Sequence, residues 1–372
     1  MGIVGRVGFI IGLIAAGGCP SVPLGVGCVD DADCPANTRC TVDICAAMEG
    51  EGEGEGEGEG EGEGEGEGEG EGEEVTVSWI ALGDTGEGNE AQFAVADVIA
   101  TVCAAQGCDF ALLLGDNFYD TGVDGVDDPQ WQDKFELPYA ELDFPFFPVL
   151  GNHDGGAFGA GLQLSPGDDQ VEYSTFSDKW TMPARFHKHS HGDVDFFALD
   201  TSSMFFAGTL FDFDDRYSDM AAEQEAMLQA EWANPATAGR WRFAYGHHPY
   251  LSNGKHGNAG AYEGLDDGIF VTANGQSIKD FVEANVCGEA DFYLAGHDHS
   301  RQWLLDTCEG TQFIVSGAGA KTSELLGTQP VHFEDVEIEG FNWFSVRGNT
   351  LTVQFWNSAG VMEHEGTVIK SP

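Results

Sequence analysis

Basic residues are scarce in this chain of 372 residues: 15 Lys and Arg stand against 64 Asp and Glu. Part of the imbalance lies in a Glu-Gly run at residues 49–74, which holds 14 Glu and no cation. Residues 75–372 still carry 46 acidic and 13 basic side chains, a net charge of −33. Nucleic acid and anionic membrane surfaces need basic patches, so neither is expected as the main partner. The same acidity repels phosphate esters at long range. A phosphate site here must supply its own local positive charge, and metal ions would do so.

Long apolar runs are also missing. The one short candidate, VGFIIGLIAA, follows Arg6 and cannot span a bilayer as a mature helix. With Gly17 and Gly18 before Cys19, residues 1–18 read as an export signal. Ala16 stands where a bacterial lipoprotein signal usually has Leu, so a lipid anchor on Cys19 and ordinary cleavage nearby both stay open. Either way the chain is expected outside the cytoplasm, as an extracellular, periplasmic or cell-surface protein.

CxxC pairs are absent as well. Of nine cysteines, Cys28, Cys34, Cys40 and Cys45 cluster early, and Cys103, Cys108, Cys287 and Cys308 lie further on. Even counts without CxxC spacing favour disulfides over zinc knots, and hence an oxidising compartment. Residues 19–48 are too few to bury a core unaided and read as a small disulfide-rich module. Residues 49–74 combine glycine freedom with like-charge repulsion, so they read as a disordered linker spanning roughly 30 Å or more.

What remains, residues 75–372, alternates strand and helix patterns. VTVSWIAL, FALLL, FFPVL, FFAL, RFAY, FYLA and FIVS are apolar runs of strand length. NEAQFAVADVIATVCAAQ, with Asn89 as N-cap, AAEQEAMLQAEWA and SIKDFVEANV have helical periodicity. NWFSV and TLTVQFW straddle an Arg347-Gly-Asn turn and read as a hairpin. The domain is therefore α/β, with buried sheets covered by helices.

Five of the strand-like runs end in a glycine and a polar donor: GDTG with Asp84, GDNFY with Asp116 and Tyr119, GNHD with Asn152, His153 and Asp154, GHHP with His247 and His248, and GHDHS with His297 and His299. Ligands of α/β sheets bind at the carboxyl ends of strands, and glycine there permits a sharp turn and close approach. Any one such motif is an ordinary turn. Five in sequence, on neighbouring strands of a sheet, would deliver carboxylates, an amide and imidazoles to one edge. No cysteine lies among them, which excludes a thiolate zinc site. Oxygen and imidazole donors suit Fe, Mn or Zn. Seven donors exceed one tetrahedral ion and suit two ions sharing a carboxylate, the clamp for displacement at phosphorus.

GDNFYDTGV, GNHD, GHHP, GHDH and SGAG together resemble the purple acid phosphatases, especially the tartrate-resistant acid phosphatase branch of the calcineurin-like metallophosphoesterase superfamily. The likeness runs from Trp79 to Gly319. It implies a four-layer α/β/β/α sandwich. It implies that Asp84, Tyr119 and His299 bind Fe(III), that Asn152, His247 and His297 bind a divalent Fe, Zn or Mn, and that Asp116 bridges them. His153 then becomes the acid near the leaving group, Asp154 an orienting carboxylate beside it, and His256, in GKHG, a second histidine touching substrate. Three features depart from the resemblance. His248 stands where mammalian members have tyrosine, the segment after Asp200 matches no regulatory loop, and the cysteine module and Glu-Gly run have no counterpart in the small animal enzymes.

The expected activity is hydrolysis of small phosphate monoesters, with metal-bound hydroxide attacking phosphorus. A phosphodiesterase or nucleotidase on the same centre, and a surface binding protein on an inactive scaffold, are the alternatives. His187, His189 and His191 look like a metal tract in a polar loop, but a plain surface loop accounts for them as well. Oligomeric state and natural substrate are not legible.

Overall fold

The computed structural model describes residues 38–41, 44–47, 75–265 and 274–371. The expectations for the export segment, for Cys19 and for the Glu-Gly run lie outside these residues. The chain divides into two compact units, residues 1–70 and 71–372. In the first, β1 (Thr38–Thr41) and β2 (Ile44–Ala47) pair antiparallel, with Cys40 opposite Cys45 in register.

The second unit contains strands β3 (Thr76–Leu82), β4 (Phe110–Leu113), β5 (Phe146–Pro148), β6 (His187–His191), β7 (Val194–Ala198), β8 (Trp241–Tyr245), β9 (Phe292–Ala295), β10 (Arg301–Leu304), β11 (Gln312–Ser316), β12 (Val331–Asp335), β13 (Gly340–Arg347), β14 (Thr350–Asn357) and β15 (Met362–Ile369). Its helices are α1 (Glu90–Gln106), α2 (Ser165–Tyr173), α3 (Thr201–Phe206), α4 (Arg216–Trp232) and α5 (Gln276–Asn285). One sheet runs β15-β14-β13-β3-β4-β5, the other β12-β10-β11-β9-β8-β7-β6. The parallel strands are one half of the first sheet, β3-β4-β5 with β5 at its edge, and the centre of the second, β7-β8-β9-β11.

Three cores separate four layers. Between the sheets lie Trp79, Phe110, Phe196, Phe243, Phe292 and Phe344. Trp79 stacks on Phe344 at 5.1 Å and meets Phe196 and Phe243 edge-on at 5.0 Å. Truncating so central a ring to alanine would cost about 3–5 kcal/mol. The outer face of the first sheet packs Ile80, Leu82 and Leu113 against Val95 and Ile99 of α1, with Trp131 and Trp180 buried beside them. The outer face of the second packs Tyr293 and Val315 against Leu228 of α4 and Ile278 and Val282 of α5. Side chains alternate faces along a strand, so Trp79 and Ala81 point into one core while Ile80 and Leu82 point into another. Burial on both faces is why these strands read as unbroken apolar runs.

Asn89 caps α1 as expected, its side chain accepting from Gln92 N at 2.9 Å. Disulfides join Cys103 to Cys108 and Cys287 to Cys308. The histidine tract is a correction. It forms strand β6 rather than a polar loop, and its rings turn into the sheet interface. His189 stacks on Phe147 and Phe196, and His191 stacks on Phe110. Imidazole has an aromatic face, and His187, His189 and His191 alternate with Lys188 and Ser190 at the strand period, so the three pack as core residues do.

Candidate metal centre

The donors do not come from five neighbouring strands of one sheet. Asp84, Asp116 and Asn152 follow β3, β4 and β5 in the first sheet, while His247 and His297 follow β8 and β9 in the second. The two sheets face each other, so parallel strand ends from both open onto one site. Gly151 and Gly296 are required by closeness: a Cβ on Gly151 would lie 2.1 Å from Asp116 Oδ1, and one on Gly296 would lie 2.6 Å from Asp84 Oδ2. Asp84, Asp116 and His297 adopt positive φ of 58°, 52° and 67°. Non-glycine residues seldom sit there, and such strain gathers at functional sites.

The seven donors fall into two groups. In one, the Tyr119 hydroxyl lies 2.8 Å from Asp84 Oδ1 and 3.4 Å from His299 Nε2. In the other, His247 Nε2 lies 2.9 Å from Asn152 Oδ1 and 3.1 Å from His297 Nδ1. Asp116 spans both, with Oδ2 2.7 Å from Tyr119 and Oδ1 3.5 Å from His247 Nε2. Asp84, Asp116 and His247 are buried and bring ligand atoms within 4.8 Å of one another, a metal-ligand triad.

Hydrogen bonding fixes which atoms are left as donors to a metal. His247 Nδ1 meets the Leu114 carbonyl at 2.9 Å, and a carbonyl only accepts, so Nδ1 carries a proton and Nε2 is the nitrogen left to face a metal. Asn152 Nδ2 donates to Gly159 O at 3.0 Å, which turns its oxygen toward His247 Nε2. Burial would lower the His247 pKa, but Asp116 raises it to about 9. In the bare protein Nε2 therefore also holds a proton, which Asn152 Oδ1, 2.9 Å away, accepts. A cation between the groups would take that proton's place. The residues therefore fit a metal with oxygen and imidazole ligands.

The electrostatics of the bare protein agree. Burial alone would raise the Asp116 carboxyl, but the adjacent His247 and His153 rings hold it well below its usual range. Burial, then Asp116 and Asp84, push the Tyr119 phenol well above 10. A cation on that oxygen would reverse the shift. Burial and the neighbouring histidines hold His297 neutral, its pKa well below 6.5.

His153 and His256 both reach the site. The Tyr119 and His153 rings lie 4.4 Å apart, and the His256 and His297 rings 4.2 Å apart. Asp154 does not orient His153 as expected. The Asp120 carbonyl meets His153 Nδ1 at 2.8 Å, while the Asp154 carboxylate accepts from the backbone N–H of Gly151, Asn117 and Phe118 and from Gln170 Nε2. Burial and then Asp116 raise its pKa to about 7. It ties the loop after β4 to the loop after β5.

Several further residues at the site are not among the candidates read from the sequence. Lys321 places its ammonium 3.2 Å from the Tyr119 ring centroid and pairs with Glu87 at 2.5 Å. Asp298 accepts from His256 N at 2.8 Å and Ser252 Oγ at 2.5 Å, tying the His256 loop to β9. Glu263 pairs with His256 Nδ1. A cavity of about 240 Å³ opens over Asn152, His248, His256 and His297, with Phe205 and Phe206 of α3 as its apolar wall. The segment after Asp200 thus overhangs the site through α3. Its position in GHDH could have singled out Asp298, but nothing local marks the others.

A family model described as calcineurin-like phosphoesterase matches residues 79–301. The match spans more than half of the chain, which therefore belongs to the calcineurin-like phosphoesterase family and is a phosphate ester hydrolase. Within that family it is similar to the purple acid phosphatases. Identity to purple acid phosphatase 3 of Arabidopsis thaliana is 27% over 302 residues, covering 78% of this chain and 76% of the plant protein. Identity to tartrate-resistant acid phosphatase type 5 of Sus scrofa is 29% over 262 residues, 65% of this chain and 69% of that protein. The solved structure of GAP50, the anchor in the inner membrane complex of Plasmodium, aligns with a TM-score of 0.63 at 19% identity, over 80% of this chain and 90% of that one. That likeness is one of fold alone. No helix among the described residues is long and apolar enough to cross a membrane.

Proposed function

We propose that the chain hydrolyses small phosphate monoesters at a dinuclear centre. Asp84, Tyr119 and His299 hold Fe(III), Asn152, His247 and His297 hold a divalent Fe, Zn or Mn, and Asp116 bridges. The observation that carries this reading is Asp116 itself, with Oδ2 turned to Tyr119 and Oδ1 to His247. Metal ions there would neutralise the phosphoryl charge and generate a nucleophile from water near neutral pH.

The remaining chemistry belongs to the side chains. The Asp120 carbonyl accepts from His153 Nδ1–H, which leaves Nε2 to hold or release a proton. Protonated there, His153 can hand a proton to the departing alkoxide, while the carbonyl behind it keeps the ring aligned. His256, backed by Glu263, is the alternative carrier. The apolar wall of Phe205 and Phe206 excludes water from one side of the leaving group.

The two disulfides of the large unit support an oxidising compartment, and we place the mature protein outside the cytoplasm. Metal analysis of purified protein, combined with turnover of monoesters and diesters, tests the functional reading. Iron with a second metal and faster monoester turnover is the expected result. A protein that retains no metal, or that cleaves only diesters, would overturn it.

A further inference from the structure

His248 follows a proposed metal ligand, and its ring lines the cavity. Thr201, the first residue of α3, settles how that ring is protonated. Thr201 Oγ1 accepts from His247 N and from His248 N, each at 3.1 Å. A hydroxyl has two lone pairs and one proton. Both lone pairs are engaged, so the contact of 3.0 Å between Oγ1 and His248 Nδ1 can only be the hydroxyl donating to the ring. Nδ1 is then an acceptor, and the proton of the neutral imidazole sits on Nε2.

The ring is held in place from both sides. It stacks on Phe205 with centroids 5.5 Å apart and lies 4.7 Å from the His297 ring. Its backbone carbonyl accepts from the Tyr293 hydroxyl at 2.8 Å. Among the described residues no acceptor meets Nε2. The two hydroxyls around the cavity are already committed, Ser202 to Leu150 O and Tyr262 to Pro249 O. Among the described residues no Lys or Arg lines the cavity, so a phosphate dianion meets no side-chain cation of fixed charge from them.

We infer that His248 is a substrate-contacting residue whose neutral Nε2–H donates to a phosphoryl oxygen, with Thr201 as the positioning residue that fixes the tautomer. This rests on the phosphatase reading above and adds a specific donor to it. A neutral donor suits this site, because it binds a phosphoryl oxygen without adding a second cation beside the metals. It also gives a chemical reason for the histidine in GHHP. A tyrosine there presents a longer side chain with a hydroxyl at its tip, and Thr201 would have no ring nitrogen to donate to.

The test uses the metal-loaded enzyme and inorganic phosphate as probe. His248→Phe keeps the ring and its stacking but loses the donor. It should retain both metals, weaken inhibition by phosphate about tenfold or more and raise KM by a similar factor. His248→Gln keeps an N–H near the position of Nε2 and should recover much of the phosphate affinity. Nitrogen-15 NMR of the wild-type histidines should show His248 protonated at Nε2 with Nδ1 bare, assigned by the signal lost in His248→Gln. Active enzyme in which His248→Phe binds phosphate like wild type, or in which His248 carries its proton on Nδ1, would overturn the assignment alone. Wild-type protein that hydrolyses no phosphate ester would overturn the functional reading and this inference with it.

Discussion

The His189 ring lies flat on Phe147, with centroids 3.9 Å apart and planes 9° from parallel. Both ring nitrogens of His187 and Nδ1 of His189 are buried without a hydrogen-bond partner among the described residues. Burial lowers the His187 pKa to about 4 and holds His189 well below 6.5. The tract is thus a hydrophobic element that an acidic medium would charge.

Acid stability follows from that shift. A histidine whose folded pKa is depressed is neutral in both states above pH 6.5 and contributes no pH dependence there. As pH falls from 6.5 towards 4, the unfolded chain takes up the proton first and gains stability. The loss for His187 alone reaches about 3 kcal/mol once pH is below its folded value. The melting temperature should drop between pH 6.5 and 4, and His187→Phe or His189→Phe should flatten that drop relative to wild type at equal metal content. A variant as acid-labile as wild type would show that the tract does not control acid stability.

Asp154 and His153 are neighbours with different work. Asp154→Ala leaves the amides of Gly151, Asn117 and Phe118 without their acceptor, each at a cost of about 1–3 kcal/mol. Its melting temperature should fall sharply, and metal retention with it, since Asp116 and Asn152 lie on the loops it joins. Calorimetry and metal analysis decide this. Unchanged stability would mean that water replaces the carboxylate without loss.

His153→Ala, by contrast, should keep its metals and its melting temperature and turn over about a hundredfold to ten-thousandfold more slowly. The deficit should shrink for nitrophenyl phosphate, whose leaving group needs little protonation. An equal deficit for alkyl and nitrophenyl esters would point to binding rather than acid catalysis, and His256 would become the better proton donor.

Tyr119 carries the prediction about metal identity. A phenolate on Fe(III) absorbs visible light, so protein purified without reductant should be pink or purple. Tyr119→Phe should abolish or strongly shift the colour without unfolding the domain, as followed by absorbance and circular dichroism. Colourless wild-type protein holding two zinc or manganese ions would refute the iron–phenolate assignment and leave the phosphoesterase fold intact.

Much of the site was legible because its information is local. Asp84, Asp116, Asn152, His247 and His297 each stand after a glycine that ends an apolar strand, and strand, turn and donor are encoded within about ten residues of chain. The continuous apolar runs also announced sheets buried on both faces. The histidine tract was misread because a polarity scale hides the flat face of an imidazole, and the alternation His187, His189, His191 is too short to outweigh it. Strands β10, β12 and β15 and helices α2 and α3 carried too few apolar residues to register.

What only the tertiary structure decided is the pairing of groups far apart in the chain. Residue types, and the strand ends they follow, come from the sequence, because covalent neighbours set them. That Asp116 turns one oxygen to each donor group depends on two sheets meeting face to face. Asp154 joins two loops instead of steering His153, because the amides of Asn117 and Phe118, some 37 positions away, point at it. Thr201 sets the tautomer of His248 across 47 positions. Such contacts arise from strand order and layer packing, which no local pattern of residues encodes.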